Sequence, residues 1–128
     1  MKIIVEKILS NINKVLTCYE KLHDYEQHGC TYEEIKKELI LLKNTNEELV
    51  PLMKSLSKDN SAQIQGVHTL FNLFKVNFLP TLKVHLLYLK QTDELSEDLL
   101  KIQARLAITY LNVDDCIDNL RIIRSYLK

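Results

Sequence analysis

Glycine and proline are scarce in this chain of 128 residues, with two of each. Tight turns depend on these residues, and an all-β fold needs many turns. So few turn-forming residues argue against a sandwich or barrel and favour long helices joined by short connections. The length suits one domain, and we expect residues 1–128 to form a single helical unit.

Neither sign of charge predominates, because 17 basic residues are matched by 17 acidic ones. Binding to the phosphates of a nucleic acid needs a basic excess, so we expect no nucleic-acid partner. Three cysteines do not make a disulfide framework, which indicates reduced thiols and a cytoplasmic location. No secretory signal is recognisable near the start of the chain, where Glu6 and Lys7 interrupt the apolar residues.

Apolar residues recur at spacings of three and four along most of the chain, which is the pattern of amphipathic helices. Gly29 suits the left-handed position after a first helix, and Thr31 with Glu34 forms a capping-box pattern that starts a second one. So short a connection predicts an antiparallel pair of helices. The polar sequence SKDNS at 57–61 is the next expected loop, and a third helix is expected over residues 61–91.

Both prolines fall inside predicted helices, where each removes a hydrogen-bond donor and crowds the preceding turn. Pro51, together with the potential capping residues Thr45 and Asn46, predicts a second helix that is kinked or broken near residues 44–51. A buried Asn46 could instead fix the register of a helical bundle at some cost in stability. Pro80 predicts a bend in the third helix.

A fourth helix is expected after the polar residues Thr92 and Asp93. Its predicted seam, meaning the apolar row that faces the core, consists of Leu95, Leu99, Ile102, Leu106, Tyr110, Val113, Ile117 and Leu120. Four helices of similar length with short connections predict an all-α, up-down-up-down antiparallel four-helix bundle.

Catalytic motifs are not recognisable: the sequence has no glycine-rich phosphate loop and no nucleophile elbow. One Glu-x-x-His motif, Glu20 to His23, occurs where a di-iron bundle needs two. His28 and Cys30 could supply two metal ligands at a turn, and His68 could accept a proton or a phosphoryl group. We expect a protein without enzymatic activity, cofactor or metal, with a histidine- or metal-dependent activity at these residues as the alternative.

The segment between Asn60 and Thr92 contains no aspartate or glutamate. Lysine, asparagine and histidine residues interrupt it, so it does not fit a transmembrane span, which needs about 17 to 25 largely apolar residues. On a helical wheel, one row of this segment is expected to fill the core: Phe71, Phe74, Phe78, Leu82 and Leu89.

The opposite side of the same helix is the predicted partner-binding surface. It combines the apolar residues Val76, Leu79 and Leu86 with the lysines Lys75, Lys83 and Lys90. Apolar patches with a polar rim mark interaction sites, and lysines suit a partner helix with an acidic flank. We expect an adaptor, chaperone, immunity or regulatory module that binds a partner protein, or itself, through this surface. Complete burial of the third helix is the alternative.

Overall fold

The described part of the chain is helical apart from short connections, and no strand occurs there. The computed structural model describes the backbone of residues 2–60, 72–91, 96–112 and 115–127. It describes side chains for residues 3–55, 72–87, 96, 98–112, 115–125 and 127. In chain order the elements are α1 (Lys2–His28), α2 (Tyr32–Asn60), a π-helical segment (Leu73–Phe78), α3 (Leu79–Gln91), α4 (Glu97–Leu111) and α5 (Cys116–Leu127).

The connection between α1 and α2 is formed as predicted. Gly29 has a φ of 89°, and its N–H donates to the carbonyl of Tyr25 at 2.9 Å. The N–H of Thr31 donates to Glu34 Oε1 at 2.9 Å, and the N–H of Glu34 donates to Thr31 Oγ1 at 3.1 Å. This reciprocal pair satisfies two backbone donors at the start of α2. The two helices then pack against each other.

The second helix contains no break, so the break predicted near residues 44–51 is wrong. Pro51 lies inside α2, with its ring exposed. Asn46 is fully buried, and its Nδ2 donates to the carbonyl of Leu42 at 2.8 Å. The side chain therefore bonds back to its own helix and does not cap a new one, which makes Asn46 a core residue. The predicted kink of α2 stays a prediction.

The backbone changes helix type just before Pro80. Residues 73–78 are π-helical, and the N–H of Leu79 donates to the carbonyl of Phe74, five residues back. A proline ring crowds the carbonyl four residues before it, which here belongs to Val76. The wider π-helical turn gives that carbonyl room. The predicted bend near Pro80 stays a prediction, and residues 61–71 of the predicted third helix lie outside the described part.

The predicted fourth helix is divided in two. Ser96 begins α4, accepting a hydrogen bond from the N–H of Leu99 at 3.3 Å, and Asn112 ends it. Asp115 then has a φ of 56°, a left-handed conformation that aspartate adopts more readily than most residues. The chain restarts as α5 at Cys116, so the described residues contain five α-helices where the sequence predicted four.

One apolar core joins the helices. Of the row in the predicted third helix that was expected to fill the core, Phe74, Phe78 and Leu82 are buried, which confirms the prediction for these three residues. The side chains of Phe71 and Leu89 lie outside the described residues. None of the helices, over the residues described, combines the length and apolar character needed to cross a membrane.

The inward face of α4 differs from the predicted seam. The buried residues are Leu100, Gln103, Ala104, Ala107, Ile108 and Leu111. Leu99, Ile102 and Leu106 from the predicted seam are 41%, 46% and 38% exposed, so the prediction was wrong for them. The helix is apolar on both sides, and the small residues Ala104 and Ala107 face the core where α4 packs against α1. In α5 the predicted seam residues Ile117 and Leu120 are buried as expected.

Candidate functional site

A groove between α2 and α3 has an apolar floor and a rim of lysines. Its volume is about 370 Å³, and it is lined by Lys36, Ile40 and Lys43 from α2 and by Lys83, Leu86 and Leu87 from α3. We call it the α2/α3 groove. Leu87 is 58% exposed, Ile40 is also exposed, and Leu86 packs partly against the core. Apolar side chains are thus accessible to a partner at the contact between two helices.

Glu47 holds two of the rim lysines. Its Oε1 lies 3.1 Å from Nζ of Lys43 and 3.8 Å from Nζ of Lys83, which links α2 to α3. Lys36 lies with its Nζ 5.7 Å from the centre of the Tyr32 ring. Surface ion pairs of this kind contribute about 1 kcal/mol or less, so a competing carboxylate can replace Glu47. The three rim lysines exceed the charge of Glu47 and leave the groove positive.

The structure places two of the six predicted partner-binding residues in this groove, namely Lys83 and Leu86. Leu79 is 8% exposed and belongs to the buried residues, so it is not accessible to a partner. Leu79 lies at the junction of the π-helical segment and α3, where the preceding Phe78 is buried as well.

The other predicted partner-binding residues lie elsewhere. Lys75 and Val76 are exposed in the π-helical segment and do not line the α2/α3 groove. Lys90 is within α3, and its side chain lies outside the described residues. The predicted surface is therefore divided between the groove and the π-helical segment.

Sequence reasoning missed the contribution of α2. Lys36, Ile40 and Lys43 follow one another at spacings of four and three, so they form one face of α2. That face lies beside the buried row of Ile35, Leu39 and Leu42 and looks like an ordinary solvated surface in the sequence. Only the packing of α3 against α2 makes it the wall of a groove.

The candidate metal and phosphoryl sites gain no support among the described residues. Nδ1 of the exposed His28 lies 3.6 Å from Oδ1 of Asp24, and Cys30 packs partly against the core. Burial raises the pKa of the Cys30 thiol, with Glu34 adding to the effect. In the described part, no three histidine, cysteine, aspartate or glutamate side chains are grouped as a metal site would require. His68 lies outside the described residues.

A buried carboxylate connects α1 with α2. Glu38 is buried, and its Oε1 lies 3.1 Å from Nζ of Lys21, while Oε2 has no hydrogen-bond partner among the described residues. The Cys18 thiol donates to the backbone carbonyl of Glu38 at 3.5 Å. Burial, followed by the negative charge of Glu38, raises the pKa of Cys18 far above its ordinary value. Cys18 is therefore a core residue and a poor nucleophile.

A second polar contact lies between α3 and α4. His85 is 5% exposed, and its Nε2 lies 2.5 Å from Oε1 of Gln103. Its ring meets the Tyr110 ring edge-on, with the centroids 5.7 Å apart. An amide oxygen only accepts, so this contact assigns the proton of the neutral ring to Nε2. Nδ1 is then an acceptor that has no hydrogen-bond partner among the described residues.

This environment makes the stability of the protein depend on pH. Burial lowers the pKa of His85 below its ordinary value of 6.5, although the bond to Gln103 acts in the opposite direction. The unfolded chain therefore takes up the proton at higher pH than the folded chain does, and the stabilising effect of the neutral ring is lost as the pH falls below about 6.5. In urea unfolding at pH 7.5 and pH 5, we expect the wild type to lose more unfolding free energy on acidification than a His85→Phe variant, which has no titrating ring at this position. Equal losses in the two proteins would contradict this prediction.

Comparisons of the chain with protein families, with curated proteins and with solved structures found no match.

Proposed function

We propose that this protein is a non-enzymatic interaction module that binds an amphipathic helix of a partner protein in the α2/α3 groove. The observation that carries the proposal is a groove lined by three lysines and by the apolar residues Ile40, Leu86 and Leu87, of which Ile40 and Leu87 are exposed and Leu86 is half-buried. Exposed apolar groups at the junction of two helices leave water when a third helix covers them, which is the usual basis of helix-in-groove recognition.

The charges of the groove specify the partner further. Lys36, Lys43 and Lys83 surround the floor, and Glu47 contacts two of them. A partner helix with apolar residues spaced by three and four, flanked by glutamates or aspartates, would place its carboxylates against these lysines. Such a partner would compete with Glu47 for Lys43 and Lys83, so its association should weaken as the salt concentration rises.

The same proposal includes the arrangement of the helices and the location of the protein. An up-down-up-down bundle, with α4 and α5 together as its fourth element, accords with the three-residue connection after α1. It also accords with the packing of α1 against α2 and α4, and of α2 against α3. We place the protein in the cytoplasm because its cysteine content does not suggest a disulfide framework.

A substitution in the groove should weaken partner binding without unfolding the protein. Leu87→Glu puts a negative charge on the exposed floor, where it repels an acidic partner and opposes apolar contact. We expect at least a tenfold loss of affinity for the partner, which corresponds to about 1.4 kcal/mol of binding free energy. The partner is first obtained by amine-reactive cross-linking to the wild-type protein in its native host, followed by mass spectrometry, and its affinity is then measured by calorimetry.

Ile122→Glu is the matched control, since Ile122 is an exposed apolar residue of α5 and does not line the groove. This variant should bind as the wild type does. Cross-links of the partner to Lys36, Lys43 or Lys83, together with loss of binding only in Leu87→Glu, would support the proposal. A partner that binds both variants equally would show that the α2/α3 groove is not its site.

A further inference from the structure

The outer side of α4 carries an apolar row that no described helix covers. Leu99, Ile102 and Leu106 are all more than a third exposed and follow one another at spacings of three and four. We call these three residues the α4 outer face. Val84 of α3, which is also exposed, shares a groove with Leu106 and extends the apolar area beyond α4. Spacings of three and four are those with which two helices pack side by side.

Two opposite charges flank this row on one side. Asp98 and Arg105 are exposed and seven residues apart, so they occupy equivalent positions two turns from each other. Asp98 precedes Leu99, and Arg105 precedes Leu106. The α4 outer face therefore has a negative flank at one end and a positive flank at the other.

Two copies of this surface are complementary to each other when their α4 helices run in opposite directions. A two-fold axis near Ile102 places Leu99 of one copy against Leu106 of the other. The same operation brings Asp98 of each copy next to Arg105 of the other, which gives two attractive pairs. A parallel pairing would not bring these opposite charges together, because it sets equivalent positions side by side.

The remaining charges around α4 are compatible with this pairing. Arg105 Nε lies 3.5 Å from Oε1 of Glu26 in α1, with the arginine side chain 72% exposed. A guanidinium has five donors, so it can keep this contact and still meet a second carboxylate. Lys101, close to the proposed axis, is half-buried and lies on the far side of Arg105 from the apolar row.

We propose that two copies of this chain associate through their α4 outer faces in an antiparallel, two-fold symmetric dimer. The contact uses Leu99, Ile102 and Leu106, with Asp98 and Arg105 at its edge. It is separate from the α2/α3 groove, so that each copy keeps that groove accessible. One helix face is a small interface, and the dimer should therefore dissociate on dilution.

Sedimentation equilibrium of the full chain over micromolar to submillimolar concentrations tests the dimer. The wild type should shift from monomer to dimer as the concentration rises. Ile102→Glu should weaken dimerisation at least tenfold, because two glutamates would meet near the axis. Ile122→Glu, an exposed apolar residue outside this face, should dimerise as the wild type does. A wild type that stays monomeric throughout, or a dimer unaffected by Ile102→Glu, would overturn the proposal.

Charge exchange tests the antiparallel direction. Asp98→Arg places two arginines at each edge of the dimer, and Arg105→Asp places two aspartates there, so each variant alone should dimerise less than the wild type. Mixed in equal amounts, the two variants should form a heterodimer that restores the wild-type association, because every arginine again meets an aspartate. Circular dichroism of each variant establishes that it is folded. Failure of the mixture to associate better than either variant alone would rule out the antiparallel pairing.

Discussion

Replacing Leu79 with glutamate should unfold the protein, whereas replacing Lys83 with glutamate should leave it folded. Leu79 is buried at the start of α3, and Lys83 is exposed one turn later. Removing a buried leucine forfeits about 2 to 3 kcal/mol of apolar transfer energy. Burying a carboxyl group without a partner adds a further cost, so the total exceeds about 4 kcal/mol. A domain whose whole stability is about 5 to 15 kcal/mol keeps little after such a loss.

Urea unfolding followed by circular dichroism measures this difference. Lys83→Glu loses its contact with Glu47 and introduces repulsion there, at a cost of about 1 kcal/mol or less for exposed groups. It therefore serves as a control for a new glutamate in the same helix. A Leu79→Glu protein as stable as Lys83→Glu would mean that Leu79 faces solvent. Leu79 would then be accessible to a partner, as the sequence predicted.

Alanine at Leu100 should cost about 2 to 4 kcal/mol of unfolding free energy, and alanine at Leu99 less than about 1 kcal/mol. The two leucines are neighbours in the first turns of α4, but Leu100 is 5% exposed and Leu99 is 41% exposed. The truncation is chemically identical, so the difference between the two variants reports which face of α4 is inside.

The comparison is made by thermal or urea unfolding of both variants at high dilution, where self-association contributes nothing to stability. Equal losses would contradict the orientation of α4 in the structure. A larger loss for Leu99→Ala would favour the seam predicted from the sequence instead.

The first two helices could be predicted well because their signals are local. Gly29 supplies the left-handed turn, and Thr31 with Glu34 supplies the capping box, all within six residues. Each of these interactions depends on backbone groups a few positions away and on nothing else in the fold. The burial of Phe74 and Leu82 followed from a strong apolar row in the same way.

The orientation of α4 could not be predicted from its own sequence. Leu99, Ile102 and Leu106 form one apolar row, and Leu100, Ala107 and Ile108 belong to another. The periodicity is the same for both, so the packing of α4 against α1 decides between them. The row that contains Ala104 and Ala107 faces the core. A sequence pattern that gives alanine little weight predicts instead that the row of Leu99, Ile102 and Leu106 is buried.

Only two of the six residues that line the candidate groove were predicted, for a related reason. Lys83 and Leu86 were expected at a surface because, on a helical wheel, they lie opposite the row of the same segment that was expected to fill the core. Lys36, Ile40 and Lys43 belong to the groove because α2 lies beside α3, which is a contact between distant parts of the chain. The division between α4 and α5 was missed since aspartate in the left-handed conformation, as at Asp115, has only a weak sequence signal.

The π-helical segment ahead of Pro80 has a consequence for how the length of this chain can vary. Phe74, Phe78 and Leu82 are spaced by fours, and in an α-helix each such step drifts by about 40° around the axis. The wider π-helical turns rotate less per residue and take up this drift, so all three side chains stay buried. Deletion of one residue within 73–78 would be absorbed by exchanging the π-helical hydrogen-bonding pattern for the α-helical one. Within α3 itself, the same change would rotate every following side chain by a quarter turn or more away from the core.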